Sequence, residues 1–205
     1  MGMMRKARRV CCVAAPTLYL WKIVGTGARI HTWTSARERL LLFSEASSSL
    51  RVGRFVEIGS YLGASAVVLA EALRRGRATP ERRLYCVDTW MNDATQEDPQ
   101  SNYDVFLQNT ARWGKYIVPV VGDSRKVELP FQGPCDLVFI DGDHSYEGVL
   151  SDANRFGPLV RPGGRLVMHD HPRPSVARVV GHLLATGDWR VLQAIKGIIS
   201  LKRNE

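Results

Sequence analysis

From about residue 54 onward, short apolar runs alternate along the chain with segments whose apolar residues repeat with helical periodicity. The apolar runs, which predict strands, cover residues 54–58, 84–87, 117–121, 136–140, 165–168, 189–194 and 198–202. The helical periods cover residues 63–75, 103–113, 145–160 and 174–185. A further helix is predicted over about residues 35–48, because Ser35 and Glu38 have the spacing of a capping box ahead of an apolar run.

Strands that alternate with helices pair in parallel through crossover connections. The last two strands are separated only by the turn around Lys196 and Gly197, so they form a hairpin and introduce an antiparallel pair. We therefore predict an α/β fold with a mixed sheet and helices on both faces. Ligands of such sheets bind beyond the carboxyl ends of the strands, which is also where this chain concentrates its reactive side chains.

The net charge of +8 is distributed unevenly over the 205 residues. Residues 1–54 carry the whole excess, while basic and acidic residues balance over 55–205. A nucleic-acid enzyme usually carries basic residues around its catalytic region, so no nucleic-acid partner is expected. We predict a basic N-terminal extension at 1–34 ahead of a catalytic domain at 35–205. The extension is either a solvated segment or a peripheral contact for anionic lipid or an acidic partner.

Residues 10–21 form an apolar run behind a basic leader, as in a signal peptide. Lys22 and the missing Ala-x-Ala-type site argue against that reading, and the run is too short to span a bilayer. We interpret it as a packing segment or an interfacial helix. Cys86 and Cys135 lie in strand-like runs and are expected to be buried, and no Cys-x-x-Cys occurs, which favours a reducing cytoplasm. Homo-oligomer formation is left open.

The first candidate motif joins a strand to a helix through the sequence Glu57-Ile-Gly59-Ser60-Tyr61-Leu-Gly63-Ala-Ser65. Gly59 permits a tight turn and a close ligand approach. The dinucleotide fingerprint Gly-x-Gly-x-x-Gly is absent, which disfavours NAD. Glu57 could accept a hydrogen bond from an ammonium group; the alternative is a purely structural turn.

Two further loops carry polar residues at predicted strand ends. Asp88, followed by Thr89 and Trp90, could accept the ribose hydroxyls of an adenosine ligand, with Trp90 stacking or packing on the purine. Asp123 and Ser124, after Gly122, could contact the adenine edge. Ordinary strand-ending turns remain the alternative for both loops.

The densest group follows two buried strands, where acids and histidines alternate. Asp141, Asp143 and His144 follow one strand, and His169, Asp170 and His171 end the other. Carboxylates suit Mg²⁺, whereas imidazoles shift the preference toward Mn²⁺, Fe²⁺ or Zn²⁺. The alternative is helix capping by Asp143 or Ser145, with His169 satisfied in the core.

With these motifs in place, residues 35–200 resemble the class I S-adenosylmethionine-dependent methyltransferases. The closer resemblance is to a small bacterial group with Asp-Gly-x-His-x-Tyr, here Asp141–Tyr146, and a later Pro-Gly-Gly…His-Asp, here Pro162–Gly164 and His169-Asp170. The resemblance implies a Rossmann-like three-layer sandwich. Its seven-stranded mixed sheet has the order 3-2-1-4-5-7-6, with the last strand antiparallel.

The resemblance also implies roles for individual residues. The cofactor S-adenosylmethionine would be bound by Glu57, Gly59, Ser60, Tyr61, Gly63, Ser65, Asp88, Thr89, Trp90, Gly122, Asp123, Ser124 and Asp141. A divalent metal would be bound by Asp141 and by a pair after the fifth strand. That pair is Asp170 and His171 by analogy with catechol-type relatives, or His169 and Asp170 by analogy with macrolide-sugar-type relatives. Both types use acidic or amide residues there, whereas this chain offers histidine. His144 matches the position of a catalytic base, with Asp141 beside it.

The predicted function is methyl transfer from S-adenosylmethionine to a hydroxyl of a small molecule, sugar-like or natural-product-like, assisted by Mg²⁺ or Mn²⁺. The polar stretch 92–102 would act as a lid over the acceptor. Three alternatives stay open: an NAD-linked oxidoreductase, a metal hydrolase, and a non-catalytic S-adenosylmethionine-binding partner subunit.

Overall fold

The computed structural model describes residues 16–76, 82–91 and 101–205. The basic leader at 1–9, Cys11, Cys12 and residues 92–100 of the predicted lid lie outside the described residues. The helices are α1 Pro16–Val24, α2 Ala36–Ser49, α3 Ala64–Arg75, α4 Tyr103–Thr110, α5 Tyr146–Phe156 and α6 Pro174–Ala185. The strands are β1 Arg54–Ile58, β2 Arg83–Asp88, β3 Ile117–Val121, β4 Cys135–Ile140, β5 Val160–His169, β6 Trp189–Ile195 and β7 Ile198–Arg203.

The seven strands form one sheet in the order β3-β2-β1-β4-β5-β7-β6, which confirms the predicted fold. The pairs from β3 to β5 are parallel, and β7 runs antiparallel to both β5 and β6. Ile58 pairs with Val87 on one side and with Ile140 on the other. The loops that follow these three residues therefore start side by side.

Strand side chains alternate between two apolar layers, because successive residues of a strand point to opposite faces. Phe55, Leu137 and Phe139 face the layer formed with helices α1 to α4. Val56 and Val138 face the layer formed with α5 and α6. Both layers are closely packed, so the sheet is buried on both faces, as parallel sheets usually are.

Helix α2 is fixed at its start and along its length. Its predicted capping box is present: Ser35 Oγ accepts the Glu38 N–H at 3.3 Å, and Glu38 Oε2 accepts the Ser35 N–H at 2.6 Å. Further along, buried Glu45 accepts hydrogen bonds from Arg165 Nε at 2.8 Å and Ser200 Oγ at 2.9 Å. A buried ion pair with additional hydrogen-bond partners satisfies its charges, so α2 is held against β5 and β7.

Strand β5 starts earlier than the sequence predicts. The sequence predicts a strand only over 165–168, whereas β5 runs from Val160 through Pro162–Gly164 to His169. The ladder with β4 absorbs the irregularity by a register shift between Cys135 and Leu137. Gly163 has φ +75, and a Cβ at Gly164 would lie 2.9 Å from the Asp136 carbonyl oxygen. These glycines therefore allow a bulged strand where proline and glycine suggest a turn.

Part of the predicted extension packs on the core. Leu20, Ile23 and Val24 of α1 are buried against the layer of α2 and α3. Of the predicted apolar run at 10–21, Leu20 packs on the core while Leu18, Tyr19 and Trp21 are exposed, so its interpretation as a packing segment or an interfacial helix stays a prediction. The position of the domain boundary stays a prediction. Cys86 and Cys135 are free and buried, as predicted. Within 16–76, 82–91 and 101–205, no helix combines the length and apolar character needed to cross a membrane.

Candidate active site

The loops that follow β1 to β4 enclose a cavity of about 760 Å³, within the size range of cofactor and substrate sites. The end of β5, the start of α5 and the segment before α2 complete its wall. The predicted site residues that line it are Gly59, Ser60, Tyr61, Ser65, Asp88, Thr89, Trp90, Gly122, Asp123, Ser124, Asp141, His144, His169 and Asp170. Glu57, Gly63 and His171 belong to the described chain but are not part of the cavity wall.

The turn after β1 passes very close to the loop after β4. Gly59 has φ +83, and a Cβ there would lie 2.3 Å from the Asp141 carbonyl oxygen. Tyr61 has φ 45, a left-handed conformation that is uncommon outside glycine. The turn is held from both ends, because the Tyr61 N–H donates to Asp88 Oδ2 at 2.8 Å and its carbonyl accepts Trp90 Nε1–H at 2.9 Å. Such a rigid, strained turn forms a cradle at the cavity floor.

Asp88 organises this cradle through both carboxylate oxygens. Oδ2 accepts the N–H groups of Ser60 and Tyr61, each at 2.8 Å, and Oδ1 accepts the Trp90 N–H at 2.7 Å. A carboxylate offers about four acceptor positions, so one on Oδ1 remains for a hydroxyl in the cavity. The ribose role predicted for Asp88 is compatible with this geometry.

Glu57 lies beneath the cradle. Its side chain is 0% exposed, and Oε2 accepts Ser60 Oγ–H at 2.7 Å while Oε1 is buried without a hydrogen-bond partner. Burial raises the pKa of Glu57 to about 7, against the lowering effect of the hydrogen bonds that Ser60 and Cys86 donate to Oε2. The predicted hydrogen bond to a ligand ammonium would need an accessible carboxylate. In this structure Glu57 supports the loop instead of lining the cavity.

Two other predicted ligand residues also shape the cavity wall by packing. The stacking role predicted for Trp90 needs an open ring face, but the ring is 2% exposed and packs on Tyr103 and Phe106, with centroids 5.0 and 4.8 Å apart. Gly63 precedes the first residue of α3 with φ 91, and a Cβ there would lie 2.6 Å from Thr110 Cγ2. Both residues therefore hold the shape of the wall.

The end of the cavity next to β3 contains a buried acid that the sequence reading missed. Asp152 of α5 is 2% exposed and accepts Ser124 Oγ–H at 2.6 Å, and burial raises its pKa to about 6. Asp152 lies three residues after Val149 on the apolar face of α5, and an acid on that face could have indicated a buried carboxylate. Asp123 is paired with Arg125 at 2.8 Å, and hydrogen bonds from Arg125 lower the pKa of Asp123 to about 2.

The other end of the cavity holds the acid–imidazole cluster, defined here as Asp141, His144, His169 and Asp170. Possible ligand atoms of Asp141, His144 and His169 lie within 4.8 Å of one another. His169 is 6% exposed, with Nδ1 2.8 Å from Asp141 Oδ1. Burial lowers the pKa of His169, but the hydrogen bond and charge of Asp141 and the charges of Asp170 and Glu38 outweigh it, so the pKa is raised.

Asp170 joins the cluster with a strained backbone, whereas His171 points away from it. Asp170 has φ 53; Oδ2 pairs with Arg173 Nε at 2.6 Å, and Oδ1 lies 3.7 Å from His169 Nδ1. His144 Nε2 lies 3.7 Å from Asp170 Oδ2. His171 Nε2 is instead 3.2 Å from the Ile195 carbonyl oxygen. The pair that reaches the cluster is thus His169 and Asp170, and the assignment of His171 as a metal ligand does not fit its position.

The donor set suits a divalent transition metal. Carboxylates and imidazoles in one small cluster are ligands for Mn²⁺, Fe²⁺ or Zn²⁺ more than for Mg²⁺. The helix capping predicted as the alternative role of Ser145 is also present. Ser145 caps α5 by accepting the Gly148 N–H at 3.0 Å, and Asp143 Oδ1 accepts the Ser145 N–H at 2.8 Å. Asp143 is therefore occupied by the helix start.

Three aromatic rings form a wall of the cavity, and two of them, His31 and Trp33, were not singled out by the sequence pattern. Trp33 stacks on Tyr61, with centroids 4.7 Å apart and an interplanar angle of 29°. His31 meets both rings edge-on, at 5.9 Å from Trp33 and 6.3 Å from Tyr61. All three line the cavity.

Comparisons with known proteins agree with this architecture. A family model described as a methyltransferase domain matches residues 56–171. The O-methyltransferase TomG from Streptomyces achromogenes, solved with SAM, is 20% identical with a TM-score of 0.65, over 91% of this chain and 89% of that chain. The O-methyltransferase NovP is 15% identical with a TM-score of 0.73, over 90% and 88% of the two chains. An O-methyltransferase from Bacillus cereus, solved with SAH, is 15% identical with a TM-score of 0.63, over 96% and 94%. At these identities the structures show a shared fold.

Proposed function

This chain belongs to the methyltransferase-domain family, whose model matches more than half of its length, and we propose that it transfers a methyl group from S-adenosylmethionine to a hydroxyl oxygen of a small molecule. One observation carries the proposal. The glycine cradle with Asp88 and the acid–imidazole cluster line the same cavity, so a nucleoside-sized ligand and a base can meet there. TomG and the Bacillus cereus protein, solved with SAM and SAH, add support by their shared fold.

The residues present fit the cofactor. The absence of a Cβ at Gly59 lets the turn after β1 lie against the Asp141 backbone at the cavity wall, and Asp88 keeps one acceptor position toward the cavity. S-adenosylmethionine, when bound, supplies a methyl group on a positively charged sulfur, which keeps the electron pair of the broken C–S bond. The cradle would hold the cofactor, and the buried Asp152–Ser124 pair would close the far end of its site. Positioning of this kind supplies much of the rate of an in-line displacement.

The acceptor hydroxyl has to lose its proton as its oxygen forms the new bond to carbon. We propose that His144 accepts this proton, because His144 lines the cavity with its Nε2 beside Asp170. Histidine is the side chain that proteins use most often as a general base. His169, held by Asp141, is more deeply buried and is better placed as a ligand or an orienting group.

Asp141, His169 and Oδ1 of Asp170 would hold a divalent cation, because Oδ2 of Asp170 is already paired with Arg173. Such an ion would stabilise negative charge on the acceptor oxygen. This assignment leaves His144 free to act as the base. It also requires His169 to give up the proton that it shares with Asp141 when the metal binds.

The test compares His144→Ala with His182→Ala, a matched change at an exposed histidine on α6. With methyl-labelled S-adenosylmethionine and a panel of phenols and sugars, His144→Ala should lower kcat by about 10²- to 10⁴-fold. Its affinity for S-adenosylmethionine, measured by calorimetry, should stay within about twofold, because His144 acts on the acceptor. Equal turnover by both variants would remove His144 from the mechanism. Ester hydrolysis without S-adenosylmethionine would support the metal-hydrolase alternative.

A further inference from the structure

Trp33 is exposed in a place where an exposed tryptophan needs an explanation. Its side chain is 60% exposed, although tryptophan is on average a highly buried residue. Among the large hydrophobic side chains exposed in the described part of the chain, only Trp33 lines the cavity. Because the exposed ring lies in the cavity wall, it is available to a ligand bound there.

The ring is also held in place. One face of Trp33 stacks on Tyr61 at 4.7 Å, and the backbone of Tyr61 is fixed on both sides by Asp88 and Trp90. His31 supports the edge of the stack at 5.9 Å from Trp33. Because Tyr61 adopts a strained left-handed conformation at φ 45, the fold maintains this ring position at a cost. The result is a rigid, flat aromatic surface facing the cavity.

The segment that carries Trp33 leads into helix α2, whose start lies beside the acid–imidazole cluster. Trp33 precedes the capping box of α2 by two residues. In that box, Glu38 Oε2 accepts the Ser35 N–H at 2.6 Å, while Oε1 lies 3.9 Å from His169 Nε2. One carboxylate therefore separates the start of α2 from the cluster. Trp33 and the cluster line the same cavity, so a small molecule bound there can lie between them.

We propose that Trp33, supported by Tyr61, is the stacking surface for the methyl acceptor, and that the acceptor is a phenol on a planar aromatic ring. This inference rests on the proposed function and names its substrate class. The phenol oxygen uses a lone pair to form the bond to the methyl carbon. The C–S electron pair goes to sulfur, and the phenol proton goes to His144.

Two features favour a phenol over a polyol. The part of the wall formed by Trp33, Tyr61 and His31 offers ring faces, and the neighbouring Thr32 hydroxyl is already engaged with the hydroxyl of Thr34 at 2.8 Å and with its N–H at 3.1 Å. A sugar would need several hydrogen bonds from such a wall. A phenol also has an ordinary pKa of about 10, far below the value of about 15.7 for water, which aliphatic hydroxyls resemble. It is therefore the easier proton donor to a histidine base.

The experiment uses 2-naphthol and its saturated counterpart decahydro-2-naphthol, which carry the same hydroxyl on a flat and on a puckered ring. Methyl transfer from labelled S-adenosylmethionine is measured for wild type, Trp33→Leu, Trp33→Phe and Trp21→Leu. Trp21 is 38% exposed on α1 and does not line the cavity, so its variant is the matched control. Cofactor binding by each protein is measured in parallel by calorimetry.

We expect kcat/KM for 2-naphthol to exceed that for the saturated alcohol by more than about tenfold, because stacking and acidity both favour the flat ring. Trp33→Leu should raise KM for 2-naphthol by about 3- to 10-fold with kcat within about twofold, while Trp33→Phe retains most of the affinity. Trp21→Leu should behave as wild type.

Cofactor binding with preferred methylation of the saturated alcohol, or with methylation of 2-naphthol that Trp33→Leu does not change, overturns the phenol assignment alone. Cofactor binding with methylation of neither probe overturns the phenol assignment, and if no phenol or sugar of the wider panel is methylated either, it overturns the proposed transfer as well. Absence of S-adenosylmethionine binding overturns the proposed function beneath it, so the two failures are distinguishable.

Discussion

Replacing Glu57 with glutamine should remove a pH-dependent loss of stability. The carboxyl group is fully buried, one of its oxygens has no hydrogen-bond partner, and burial raises its pKa to about 7 from the ordinary glutamate value of 4.5. The folded state therefore holds the proton more tightly than the unfolded chain, so stability is fully present below about pH 4.5 and is lost as pH rises through about 7. At about 1.4 kcal/mol for each pKa unit, the loss is about 3 kcal/mol by about pH 8.

The free energy of unfolding of wild type and Glu57→Gln would be measured by urea titration at several values between about pH 4.5 and about pH 8. Glutamine keeps the shape and carries no charge, so the variant should gain about 3 kcal/mol relative to wild type over this range. Contributions of Asp152 and His169 are common to both proteins and cancel in the difference. Glu128→Gln, at an exposed position, should show no such trend. A difference between Glu57→Gln and wild type that stays constant with pH would refute the reasoning.

Two other changes test the cradle and the metal. Gly59→Ala places a Cβ 2.3 Å from the Asp141 carbonyl oxygen at φ +83, so it should destabilise the protein by about 2–4 kcal/mol in urea unfolding. Gly181→Ala, on α6 with open space around its Cβ, should instead stabilise it by about 0.5–1 kcal/mol, and equal effects would contradict the cradle. Methyl transfer should fall after chelation and recover better with Mn²⁺ than with Mg²⁺, because imidazole takes part in the donor set. Full activity in the presence of chelator would exclude a requirement for a metal.

The sheet was predictable because buried strands leave continuous apolar runs and each ends in a polar loop. Ile58, Val87 and Ile140 mark three such ends, and their pairing brings together the loops with Asp88 and Asp141. The start of β5 was not predictable from composition, because Gly163 and Gly164 permit a bulge as readily as a turn. Local sequence does not reveal which of the two the neighbouring strand will stabilise.

Site residues that directly follow the end of a strand could be predicted from the sequence. The positions of residues that depend on tertiary packing could not. Position along the chain was enough to bring Asp141 and His169 together, but not to show that Glu57 lies beneath the loop or that His171 turns toward Ile195. Trp33 has no local signal, because its role arises from a contact with Tyr61, 28 residues away in sequence. Such contacts depend on how α2 is docked by Glu45 and Arg165.

The central claim is that one cavity at the ends of β1, β2 and β4 binds an adenosyl cofactor without a dinucleotide motif. Calorimetric titration of the full chain with S-adenosylmethionine, S-adenosylhomocysteine and NADH tests it most directly. We predict saturable binding of the first two at one site, weakened by Asp88→Ala, and no binding of NADH. Binding of NADH together with no binding of either adenosyl compound would contradict the account.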